Sequence, residues 1–73
     1  MQHDFFKLRP EDEFIELVKL LKLKQLAQSG GHAKIMIQEG QVKLNGETEY
    51  RKRKKLRPGD IIELDGITIE IES

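Results

Sequence analysis

The chain has 73 residues, of which 36% are charged; thirteen Lys or Arg balance thirteen Asp or Glu, and there is no cysteine. A chain of this length makes one small domain that buries only about 60% of the surface its unfolded form exposes, and without thiols it has neither a disulfide staple nor a thiolate metal ligand. No apolar run approaches the ~20 residues that span a bilayer, and MQHDFFKLRP lacks the apolar stretch of a signal peptide, so a soluble, unprocessed, cytoplasmic protein is expected.

Residues 4–8, DFFKL, read as a short first strand that Pro10 interrupts. In FIELVKLLKLKQLA, Leu17, Leu20 and Leu21 recur at helical spacing, with Phe14 and Val18 widening the apolar face. Two starts fit. Pro10 followed by Glu11, Asp12 and Glu13 suits a first helical turn; alternatively EFI is extended and the helix begins near Glu16. Both include helix over Leu17–Leu23. Ser29 predicts the cap of a second helix, with Ala33, Met36 and Ile37 on one face and Gly40 at its end. Together the two make a helix–turn–helix-like pair.

After Gly40 the period falls to two. Asn45-Gly46 predicts a tight hairpin between QVKL and GETEY, because both central residues need positive φ. Pro58-Gly59 predicts a type II turn. Asp65-Gly66 predicts a second hairpin, joining DIIEL to ITIEI. Ile67, Ile69 and Ile71 fall on one face of its last strand and Thr68, Glu70 and Glu72 on the other. The expected fold class is α+β, a single domain over residues 1–73 with two short helices packed on a small, mainly antiparallel sheet.

The residues offer little for catalysis. His3 and His32 stand far apart, no HxxxH or HExxH spacing occurs, and no nucleophile stands beside a base. No metal, cofactor or small-molecule substrate is expected, and the chain is not read as an enzyme. The main signal is RKRKKLR. Six of the seven residues from Arg51 to Arg57 are positive, and the residues that follow are acidic without a base. In water two such charges ~6 Å apart repel by roughly 0.7 kcal/mol before screening. A loop kept only for solubility would mix signs, so a polyanion that neutralises the run is the better account. An acidic protein partner is the alternative, distinguished by salt dependence and by nuclease treatment of what co-purifies. Leu56 is the only apolar side chain of this run, so little core is expected to depend on it.

The second signal is SGGHAK. A capped helix N-terminus directs free N–H groups outward, Gly30 and Gly31 leave room for a phosphate, and Lys34 follows one turn later. The glycines also fit a plain helix–helix connection. His32 fits an exposed polar residue, with hydrogen bonding or stacking on RNA as a further use.

In order, LLKL (20–23), S-x-x-x-A-K (29–34), I-x-x-G-x-V-x-L-N-G (37–46) and G-D-x-I (59–62) resemble the S-four, or alpha-L, RNA-binding domain over about two-thirds of the chain. SGGHAK, EGQVKLNGE and ETEYRKRKKLRPGD resemble its small stand-alone bacterial members, the YbcJ/YaaA-like group. Many family members carry Arg directly after the capping Ser. This chain has Gly30 there, and its positive charge stands in the loop at 51–57 instead. The resemblance implies the alpha-L fold, RNA as partner and a role near ribosomal or other structured RNA.

The expected site is therefore an RNA-binding one. Backbone N–H groups at Ser29, Gly30, Gly31 and His32 would meet a phosphate. Lys34, Lys43, Arg51, Lys52, Arg53, Lys54 and Lys55 would grip its neighbours, with arginine adding bidentate contacts. Tyr50 fits either stacking on a base or packing on the sheet. The acidic hairpin of residues 60–72 would face away, and a monomer is expected.

Overall fold

A computed structural model describes residues 2–73. In chain order the elements are β1 (Gln2–Lys7), β2 (Ile15–Glu16), α1 (Leu17–Leu23), α2 (Gly30–Gln38), β3 (Lys43–Leu44), β4 (Glu47–Thr48), β5 (Lys55–Leu56), β6 (Ile61–Leu64) and β7 (Ile67–Glu72). Five strands form one sheet in the order β1-β7-β6-β3-β4, and β2 and β5 form a separate two-stranded ribbon. All pairings are antiparallel except β1 with β7. This is the α+β arrangement the residue pattern predicts.

Two hairpins set the register. Asn45 and Gly46 have φ of 52° and 88°, and Asp65 and Gly66 have 51° and 75°, as a two-residue turn between twisted strands requires. Asn45 then ties its turn to the next strand. Its Oδ1 accepts from the Ile61 N–H at 2.8 Å, and its Nδ2 donates to Asp60 Oδ1 at 3.1 Å. The other carboxylate oxygen of Asp60 accepts from the Arg57 N–H and closes the Pro58-Gly59 turn. The Asn and Asp of the LNG and PGD stretches thus hold structure rather than ligand.

One face of the sheet carries the core. Val42, Ile62, Leu64, Ile69 and Ile71 pack against Leu17, Leu20 and Leu21 of α1 and Ala33, Met36 and Ile37 of α2. The 3.6- and 2-residue periods of the sequence therefore meet in one layer interface. Ile15 and Leu56 join the same cluster from the ribbon. Leu56 is 0% exposed, which corrects the expectation that little core depends on the basic segment. Its alternation with Lys55 points one side chain inward and the next outward.

The start of α1 follows the second of the two expected alternatives. Of EFI, Glu13 lies in a bend and Ile15 opens β2 (Ile15–Glu16), and helix begins at Leu17. Glu16 makes no side-chain cap, and no acid stands in the first turn. The Leu17 N–H instead donates to the Lys54 carbonyl and the Val18 N–H to the Lys52 carbonyl, both at 3.0 Å. Donors that a capping side chain would satisfy are satisfied by the backbone of the basic loop.

Candidate nucleic-acid interface

The capping of α2 is as predicted. Ser29 Oγ accepts from the His32 N–H at 3.1 Å. His32 turns back, and its Nδ1 accepts from the Gln28 N–H at 3.1 Å. This reciprocal arrangement works as a capping box does, with imidazole in place of a carboxylate. The rest of the His32 side chain is exposed. The Gly30 and Gly31 N–H groups have no acceptor among the described residues. A Cβ at either glycine would meet nothing nearer than 3.8 Å inside the protein. The fold itself therefore does not demand glycine there, although glycine is a poor helix former.

The structure brings the two sequence signals together. Lys34 of α2 and Lys52 of the loop approach each other, and the Lys34 charge is the largest cause that pushes the Lys52 ammonium below its ordinary range, followed by burial and with a smaller push from Arg53. Among the described residues no carboxylate offsets this repulsion at Lys52. The Lys52 and Lys54 carbonyls hold the loop against α1, so the backbone from which these cations project is fixed by hydrogen bonds.

The other candidates divide among different surroundings. Arg51 is committed to Glu49: its Nε and Nη2 donate to the two carboxylate oxygens at 3.0 and 3.2 Å, and its backbone N–H adds a third bond at 2.9 Å. Glu49, only 8% exposed, is held below the ordinary carboxylate range chiefly by the Arg51 side chain, with Lys54 adding a smaller pull. Lys55 lies over the Phe14 ring at 4.9 Å, and the Arg57 guanidinium at 5.9 Å. Arg53 is exposed. Lys43 faces away from the helices on the outer side of the sheet, in register with Glu63 on one side and Thr48 on the other. The site around Lys34 and Lys52 thus does not extend across the sheet as one patch, and one acid of the 60–72 hairpin stands beside Lys43.

Glu49 and Arg57 are the residues that the sequence reading left out. Glu49-x-Arg51 was legible, since alternate residues of an extended segment share a side. Arg57 belonged to the basic run, but its pairing with Phe14 depends on β2 meeting β5. The larger groove of the molecule, between the 9–14 loop and α1, is rimmed by Glu11, Asp12 and Glu13. Those carboxylates repel phosphate, so this groove is not part of the cationic face. Among the described residues no group of three metal-ligating side chains occurs.

The Glu49–Arg51 pair gives a pH-dependent expectation. A carboxylate with a depressed folded value contributes stability above its ordinary value of 4.5 and loses it as pH falls through the depressed one. Glu49→Gln should cost about 1–2 kcal/mol at neutral pH. The gap in melting temperature between the two proteins should close in acid. A gap that stays constant from neutral to acid pH would show that the ion pair does not carry the effect.

A capped helix end, a cationic loop fixed beside it and a helix pair on a mainly antiparallel sheet define an alpha-L module of the RNA-binding class. The chain belongs to the S4 domain family, which matches residues 6–72. It is 44% identical over 57 residues to the putative RNA-binding protein YbcJ of Escherichia coli, covering 78% of this chain and 81% of that one. It is 41% identical over 56 residues to the probable ribosome maturation protein RlbA of Bacillus subtilis, covering 77% and 79%. The solution structure of E. coli YbcJ, which reveals an alpha-L motif involved in RNA binding, superposes with a TM-score of 0.71. That match has 39% identity and covers 94% of this chain and 86% of YbcJ.

Proposed function

We propose that this protein is a non-catalytic module that binds structured RNA, ribosomal RNA in the first instance, through the N-terminus of α2 and the adjoining basic loop. The observation that carries this is the Lys34–Lys52 approach, about one turn along α2 from its open end. Two neighbouring ammonium groups whose repulsion no carboxylate offsets are relieved by a phosphate, and the Gly30 and Gly31 N–H groups, without acceptors among the described residues, suit a second one. Gly30 and Gly31, not required by internal packing, leave space for a ribose-phosphate chain. The relatives named for RNA binding and ribosome maturation support RNA of the ribosome as the target.

If about four to six phosphates are neutralised, log affinity should fall against log salt with a slope of roughly −3 to −5. Filter binding to a ribosomal RNA fragment across a salt series measures it. A slope near zero would rule out the electrostatic account.

A further inference from the structure

Tyr50 stands at the entrance of the basic loop and is 62% exposed, an unusual place for the only tyrosine of a chain without tryptophan. It is not loosely placed. The hydroxyl end of the ring rests against Gly40, where a Cβ would lie 3.4 Å from Oη and 3.5 Å from the nearest ring carbon, with Thr48 beside them. Gly40 has φ of 76°, so glycine serves there both the helix end and the seat of the ring. Next to Tyr50, Glu49 holds the Arg51 guanidinium by its Nε–Nη2 edge and leaves Nη1 for an outside acceptor. Tyr50, Arg51, Lys54 and Asn45 line one polar cleft together with Glu47 and Glu49, and the charge of Glu49 is already met by Arg51. An anchored aromatic ring with an open face, flanked by a fixed guanidinium and an ammonium, combines stacking with charge in the way that unpaired nucleotides are held.

We propose that this cleft takes one unpaired nucleotide, its base stacked on Tyr50 and its phosphate or base edge met by Arg51 and Lys54. The inference rests on the RNA reading and narrows it, to RNA in which an unpaired base lies next to the helix that α2 and Lys52 contact. It also gives Arg51 a use that its pairing with Glu49 permits, since the bidentate bond orients the group without covering its outer edge.

Tyr50 is its own reporter, because no other tyrosine or tryptophan contributes to the emission. Two probes suffice: a stem-loop RNA with an unpaired loop, and a fully paired duplex of the same stem sequence. Binding of each is followed by filter retention and stacking by quenching of Tyr50 fluorescence. Both probes should bind with a steep salt dependence. Only the stem-loop should quench Tyr50, and it should bind roughly tenfold tighter, the scale of one stacked base. Tyr50→Leu should erase that preference without weakening duplex binding, and Tyr50→Phe should keep it. Equal quenching by both probes, or a preference that survives Tyr50→Leu, would overturn the nucleotide site while leaving RNA binding intact. If neither probe binds at low salt, the RNA reading falls and this inference with it.

Discussion

Leu56→Ala is expected to cost about 2–5 kcal/mol, the range for removing a large aliphatic side chain from a packed core. Leu56 is fully buried although all six other residues of the RKRKKLR run are exposed or half-exposed cations. It pairs with Ile15 in the ribbon and packs in the single core of the molecule. A domain of 73 residues has a total stability of only about 4–11 kcal/mol. The substitution therefore removes about a fifth of it at the least. The damage should extend beyond the cavity. Loss of the Leu56 anchor loosens β5, and with it the Lys52 and Lys54 carbonyls that cap α1. Urea unfolding measures the cost. Leu56→Val, which keeps most of the volume, should lose about 1 kcal/mol. A Leu56→Ala variant as stable as the parent would show that the ribbon is not part of the folding unit.

The opposite pattern is expected for Lys34→Glu combined with Lys52→Glu. RNA affinity should fall by about a hundredfold or more at moderate salt, because two phosphate contacts are lost and two repulsions gained, and the salt slope should become shallower by about two. Stability should stay level or rise. The fold disfavours the charged form of Lys52, chiefly because Lys34 is near. That penalty is present in the free protein while both are ammonium ions and disappears at a pH above the ordinary lysine range. In the double variant the two new carboxylates still repel each other, but the one at position 52 is drawn to Arg53, which in the parent adds to the repulsion on Lys52, and this offsets what remains. As a control, Lys43→Glu, on the outer side of the sheet beside Glu63, should weaken binding far less. Filter binding and thermal melting on the same preparations separate the outcomes. A double variant that stays folded and binds normally would place the RNA contact elsewhere, and one that unfolds would make the pair structural.

Much of this architecture was legible because it rests on local chemistry. Asn45-Gly46 and Asp65-Gly66 specify their turns through backbone sterics that no distant residue changes. Ser29 caps α2 with an atom three residues from the donor it serves. The Leu17–Leu21 and Ala33–Ile37 faces follow from helical spacing, and the alternation of β7 from the pleat. The cationic run and the open helix end were likewise visible as composition and as a cap.

Contacts between distant segments were not legible. Nothing in Glu16-Leu17-Val18 announces a helix start, because its capping groups are carbonyls more than thirty residues away, and a carbonyl has no residue-type signature. The parallel pairing of β1 with β7 joins the two ends of the described chain through a backbone ladder that no residue type announces. The same limit governs the site. Six like charges in seven residues are a sequence fact, but the fold divides them. It sets Lys52 against Lys34, commits Arg51 to a buried Glu49, and lays Lys55 and Arg57 over Phe14. Charge is a property of each residue and can be counted along the chain. The partner of each charge depends on the path of the backbone in three dimensions, and only the tertiary structure decided which cations are left for a ligand.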